Sequence, residues 1–134
     1  MKIQEVMNQG VISVDENTTP SEAFEKMYEN GVRRLFVVDQ KGIAIGVISH
    51  TNLLKILNQI NESSKNNKDI TVSDIMSTHI ITINAQENII NAANLMLRAD
   101  VSGLLAIKDE KPVGVITKTD ICRLVAASLL VPKK

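Results

Sequence analysis

The string Gly46-Val47-Ile48-Ser49-His50-Thr51-Asn52 returns later in the chain as Gly114-Val115-Ile116-Thr117-Lys118-Thr119-Asp120. Both strings stand where an apolar strand pattern gives way to a helical one. A glycine at such a junction lets a ligand approach the backbone. Hydroxyls at a helix start adjoin unpaired N–H groups that suit phosphate, and a carboxylate accepts both hydroxyls of a ribose. Together the parts suit a nucleotide. The same spacing, Thr117-x-x-Asp120, is also that of a capping box, in which the hydroxyl and the acid satisfy the helix start itself.

Other chemistry is poorly represented. His50, His79 and Cys122 are the good soft-metal ligands, and none has the spacing of a metal site. Neither histidine lies near a nucleophile turn. No catalytic residue and no metal ligand is therefore expected, and the two histidines read as ordinary, with His50, inside the motif, a candidate to line the site. Met7, Met27, Met76 and Met96 recur at equivalent positions and read as core filling.

The elements that must hold these groups come in two copies. Residues 7–57 align with 76–125, with one deletion after Asp39, through Met7/Met76, Ile12/Ile81, Ala23/Ala92, Met27/Met96, Val32/Val101, Leu35/Leu104 and Thr51/Thr119. Each copy reads as strand, helix, strand, strand, helix. Strands are expected at 11–14 and 80–83, then at 35–38 with 43–48 and at 104–107 with 112–116, the latter pairs closed into hairpins by the polar loops 39–42 and 108–111. Thr19 as N-cap, Pro20 and Glu22 mark the first helix start, and Gly31 its end. In the second copy Asn84 and Glu87 are assigned the capping roles. Final helices begin near Thr51 and Thr119. The boundaries are repeat one at 1–60, a polar linker at 61–69 and repeat two at 70–134. A unit of about 55 residues buries too little surface to stand easily alone. The expected architecture is therefore α+β, two β-α-β-β-α repeats packed sheet to sheet about a pseudo-twofold axis.

Composition narrows the function classes. The chain has 134 residues, an aliphatic core composition with two Phe, one Tyr and no Trp, and fifteen basic against fifteen acidic side chains. With no basic excess and few aromatics, nucleic-acid binding is disfavoured. A lone cysteine excludes an intrachain disulfide. The acidic start of the chain and the lack of a long apolar run favour a cytoplasmic protein without a membrane span.

The duplicated unit and its motif resemble a tandem pair of cystathionine-beta-synthase (CBS) domains, a Bateman module, over about residues 3–130. The resemblance implies clefts between the repeats that bind AMP, ATP or a related adenosyl ligand, no catalytic cofactor, and a role in energy sensing. Residue by residue, it assigns Ser49, Thr51, Thr117 and Thr119 to the phosphate side and Asp120 to the ribose. Residues Ile12, Ser13 and Val14, with Ile81, Thr82 and Ile83, match the strand that meets the adenine. Arg33 and Arg34 match a basic pair used on phosphate, where the second copy has Ser102 and Gly103. Asn52 replaces the usual acid in copy one, which weakens the ribose grip there, and Phe36 and Leu105 stand where many members have proline.

Two functions are compatible with this pattern. The first is a stand-alone, non-enzymatic regulatory module that binds an adenine nucleotide and signals to an unknown effector protein in trans. The second is a structural dimerisation module whose clefts stay empty. A homodimer is expected in either case, because Leu53, Leu54, Ile56, Leu57 and Ile60 exceed one buried helical stripe, and because paired CBS modules often join through their helices.

Overall fold

The computed structural model describes residues 1–62 and 70–127, with the backbone alone for 57–62. Among the described residues six strands and five α-helices form two compact units. In the unit Ile12–Ile80, strand β1 (Ser13–Asp15) leads into α1 (Pro20–Asn30), then β2 (Arg34–Val38), β3 (Ala44–Ser49), α2 (His50–Glu62) and the single turn α3 (Val72–Ile75). The other unit joins Met1–Val11 to the described residues from Ile81 onward. It contains a 3-10 turn at Ile3–Glu5, β4 (Thr82–Asn84), α4 (Ile89–Ala99), β5 (Gly103–Lys108), β6 (Lys111–Thr117) and α5 (Lys118–Ala126).

Each unit has one three-stranded sheet, ordered β1-β2-β3 or β4-β5-β6. The first pair is parallel and the second antiparallel, so α1 and α4 are the crossovers that a parallel pair requires. The repeat extends to an irregularity. Register slips between Val37 and Val38 and between Ala106 and Ile107, and Pro112 falls at the second slip, where a residue without an N–H is tolerated.

Helix ends follow local chemistry. Thr19 and Glu22 form the expected capping box, and Gly31 ends α1 in the left-handed region at φ 63°. The expected caps of α4 are corrected. Asn88 caps that helix by accepting from the Ile90 N–H at 2.9 Å, while Asn84 closes a turn by accepting from Gln86 N–H and Glu87 accepts from the Asn91 side chain. Asn84 is the last residue of β4, and its side chain spends itself before the helix begins. Strands β1 and β4 begin two residues later than expected, where pairing with β2 and β5 begins. The stretch expected as linker starts inside α2, which runs to Glu62, and 63–69 lie outside the described residues.

The compact units cut across the sequence repeats. Ile3, from the start of the chain, is fully buried with Ala85, Ile89, Ala92, Met96, Leu104, Ala106 and Ile116. Val72, from the start of the second repeat, is fully buried with Val14, Ala23, Met27, Leu35, Val37 and Ile48. Each lead-in segment thus packs on the repeat it does not belong to by sequence. Backbone bonds hold both exchanges: Ile3 N–H to Glu87 O at 2.9 Å and Val72 N–H to Thr18 O at 2.8 Å. At roughly 1.5–3 kcal/mol for a large aliphatic side chain, each buried residue is a substantial part of the segment's hold.

Candidate functional site

In the unit Ile12–Ile80, parallel β1 and β2 begin at the sheet end where antiparallel β3 finishes and α2 starts. That topology gathers the expected site residues. Ser13 is in register with Phe36, Phe36 N–H donates to Ile12 O at 3.1 Å, Arg34 lies opposite Ser49, and His50 N–H donates to Arg33 O at 3.3 Å. Thr51 and Asn52 occupy the first turn of α2. Arg33, Arg34 and Thr51 are exposed, and Ile12, Ser13 and Ser49 half-buried. Val14 stands apart: its side chain is in the core, so only its backbone is left for contact.

The second unit repeats the arrangement. Leu105 N–H donates to Ile81 O at 3.0 Å, Thr82 is in register with Leu105, Gly103 lies opposite Thr117, and Lys118 N–H donates to Ser102 O at 2.9 Å. Thr119 and Asp120 lie in the first turn of α5. Thr82 and Thr119 are exposed, whereas Ile81 and Ile83 pack partly against the core.

Both helix starts are closed by capping. The Asp120 carboxylate accepts from Thr117 N–H and Thr117 Oγ1, each at 2.9 Å, and Thr117 Oγ1 accepts from Asp120 N–H at 3.2 Å. Asn8 adds a third bond, its Nδ2 donating to Asp120 at 3.3 Å. All three bonds to the carboxylate end on Oδ2, and none among the described residues reaches Oδ1. At α2, Asn52 Oδ1 accepts from Ser49 N–H at 2.9 Å and Ser49 Oγ at 2.7 Å, and Asn52 Nδ2 donates to Ile75 O at 2.9 Å. Asn52 is 9% exposed.

The glycine reading is corrected. The space beside Gly46 holds Met76, and that beside Gly114 holds Met7, so each glycine admits a lead-in segment. Met7 and Met76 do pack against the two cores, as expected of filling residues. Sequence reasoning missed Asn8 and Ile75, which touch the motif from those segments. The joint recurrence of Met7/Met76 and Gly46/Gly114 was the available signal.

His50 lies beside Phe24 with ring centroids 5.9 Å apart. Among the described residues no three His, Cys, Asp or Glu side chains cluster as a metal site, and no helix is long and apolar enough to cross a membrane. Cys122 is exposed.

Two α+β units, each presenting a capped helix start beside the leading ends of two strands, define a duplicated domain of one recognisable class. The chain belongs to the CBS domain family: the family profile matches twice, over residues 3–59 and 72–127. The CBS domain-containing protein DDB_G0289609 of Dictyostelium discoideum is 27% identical, over 91% of this chain and 89% of that protein. The CBS domain pair of MJ0100, solved with 5′-methylthioadenosine and S-adenosyl-L-methionine, is 26% identical with a TM-score of 0.73, covering 96% of this chain and 98% of the other. CBSX2, solved with AMP, is 25% identical with a TM-score of 0.74 and the same coverages. Several relatives are longer, and the chain spans 32%, 62% and 23% of three curated proteins that it matches.

Proposed function

We propose that this chain is a regulatory module that binds an adenine nucleotide or a related adenosyl ligand and passes its occupancy to a partner protein in the cytoplasm. The observation that carries the reading is the unspent Oδ1 of Asp120 at a helix start, with exposed Thr119 beside it and Ile81 and Thr82 at the leading end of β4 in the same sheet. A carboxylate there accepts from ribose hydroxyls, and the exposed Thr119 hydroxyl donates to phosphate. On the other unit Arg33, Arg34, Ser49 and Thr51 supply phosphate donors. The likeness to MJ0100 and CBSX2, solved with adenosyl ligands, supports the ligand class. Binding without turnover belongs to this reading.

A homodimer belongs to this reading. Phe24, Tyr28 and Leu54 on one unit and Ile90, Leu97 and Val125 on the other are exposed apolar side chains on helices. The side chains of Leu57 and Ile60 lie outside the described residues, Ile56 is buried, and Leu53 packs partly on the core. The same exposed faces favour a second reading, a dimerisation module that binds nothing, because both helix starts are already capped.

Titration calorimetry with AMP, ATP, S-adenosyl-L-methionine and 5′-methylthioadenosine separates the two. The regulatory reading expects saturable binding of at least one, weakened about tenfold or more in Asp120→Ala, as for the loss of a bond to a charged group. Absence of binding by all four leaves the dimerisation reading.

A further inference from the structure

The exposed helix faces of the two units carry opposite charge. In the alignment that pairs Ala23 with Ala92 and Met27 with Met96, Phe24 falls on Ala93, Tyr28 on Leu97, Glu25 on Asn94 and Glu29 on Arg98. Phe24 and Tyr28 stand four residues apart on one face of α1, 52% and 81% exposed. Glu25 and Glu29, each the next residue along, are exposed on one flank of that stripe. Lys26 is two residues from each aromatic and turns away from both. Helix α2 packs on α1 and adds exposed Leu54 and Lys55, and the His50 ring lies against Phe24. Glu22 is spent in its own capping box.

On α4 the stripe is Ile90 and Leu97, both well exposed, with half-buried Ala93 between them. A methyl group thus stands where α1 has the Phe24 ring. Asn94 and Arg98 occupy the flank, both exposed. Helix α5 packs on α4 and brings exposed Lys118 at the place of His50 and exposed Arg123 at that of Lys55. Its one acid, Asp120, is turned back to Thr117 and Asn8. The α1–α2 rim is therefore mainly acidic and the α4–α5 rim basic.

An apolar stripe inside a charged rim is the make-up of an interface. Pairing each face with its own counterpart sets Glu25 and Glu29 against themselves, and Arg98, Lys118 and Arg123 likewise, which like-charge repulsion penalises. It also sets Phe24 against Phe24 and leaves Ala93 facing Ala93. Pairing the two different faces joins acid to base and seats the Phe24 ring over the low place at Ala93.

We infer that the α1–α2 face of one chain docks on the α4–α5 face of a second copy, acidic rim on basic rim. The inference rests on the homodimer of the reading above and fixes which faces meet in it. A closed pair makes this contact twice, so one substitution acts twice.

The test is sedimentation equilibrium of the full chain and three variants: Glu25→Lys with Glu29→Lys, Arg98→Glu, and all three substitutions in one chain. All three positions are exposed. The wild type is expected to dimerise. Either partial reversal sets like charges across the contact and is expected to raise the dimer Kd about tenfold or more. The triple variant exchanges the signs of the two rims and is expected to return to within about threefold of the wild type. Like-on-like pairing has no such rescue, because every chain still meets its own charge. Partial reversals that leave Kd within about threefold, or a triple variant no tighter than the weaker partial one, would overturn the face pairing while the homodimer stands. A wild type that stays monomeric defeats the homodimer and the face pairing together.

Discussion

Met7 fills the place that a side chain on Gly114 would need: a methyl group there would come 2.5 Å from the Met7 sulfur and 2.9 Å from the Asn8 carbonyl oxygen. Gly46 stands in the same relation to Met76 and Ser77, at 2.5 Å and 2.8 Å. A thioether can swing away, but a backbone oxygen in a bridge cannot, and Asn8 and Ser77 are held by paired bonds to Val115 and Val47. Gly46→Ala and Gly114→Ala are each expected to cost about 1–3 kcal/mol, the usual range for overpacking. Denaturant unfolding measures it, and shortening the methionine should restore only part of the loss.

The ends of α1 and α4 make an internal comparison. Both are closed by a left-handed residue, Gly31 at φ 63° in one repeat and Asp100 at φ 53° in the other. A Cβ is unfavourable in that conformation. Asp100→Gly is expected to stabilise by about 0.5–1 kcal/mol, and Gly31→Ala to destabilise by at least as much. Thermal melting of the two variants should move in opposite directions.

The hairpin turn between β5 and β6 carries two acidic residues with positive φ, Asp109 at 52° and Glu110 at 68°. Such a two-residue turn favours glycine at its second position. Glu110→Gly is expected to raise stability by about 0.5–1 kcal/mol, read from the denaturation midpoint.

Acid sensitivity has a local source in the first capping box. The backbone N–H of Thr19, and next its hydroxyl, hold Glu22 below the ordinary glutamate pKa. The unfolded chain therefore takes up this proton at higher pH than the folded one, so the contribution is present above the unfolded pKa and is lost as pH falls through the folded value. In melting curves between roughly pH 3 and 6, Glu22→Gln should flatten that part of the acid limb, because its amide oxygen still accepts but does not titrate.

Patterns that act within a few residues were readable before the fold. Thr19, Glu22 and Gly31 announced the bounds of α1, and the paired motif announced both helix starts. What was missed acts over long separations. Nothing near Ile3 indicates that it will be buried with Ile89, and nothing near Asn52 indicates that a carbonyl twenty-three residues later will claim its amide. The glycine was misread for the same reason, since a ligand and a returning segment make the same demand for space. Asn84 reads as the cap that Asn88 makes because its chemistry is the same, and only the extent of β4 separates the two.

The burial of Ile3 among residues from Ala85 to Ile116 also sets an order of assembly on the ribosome. Every fully buried partner of Val72 in its core precedes it in the chain, so the unit can close once the chain to Ile80 has emerged. Residues 1–11 are made before the partners that house them, and they wait until β6 has been synthesised. At about 5–20 residues per second that delay is on the order of ten seconds, during which Ile3, Val6 and Met7 are held in water on a nascent chain. A segment made before its partners is thus the part most in need of protection while they are being made.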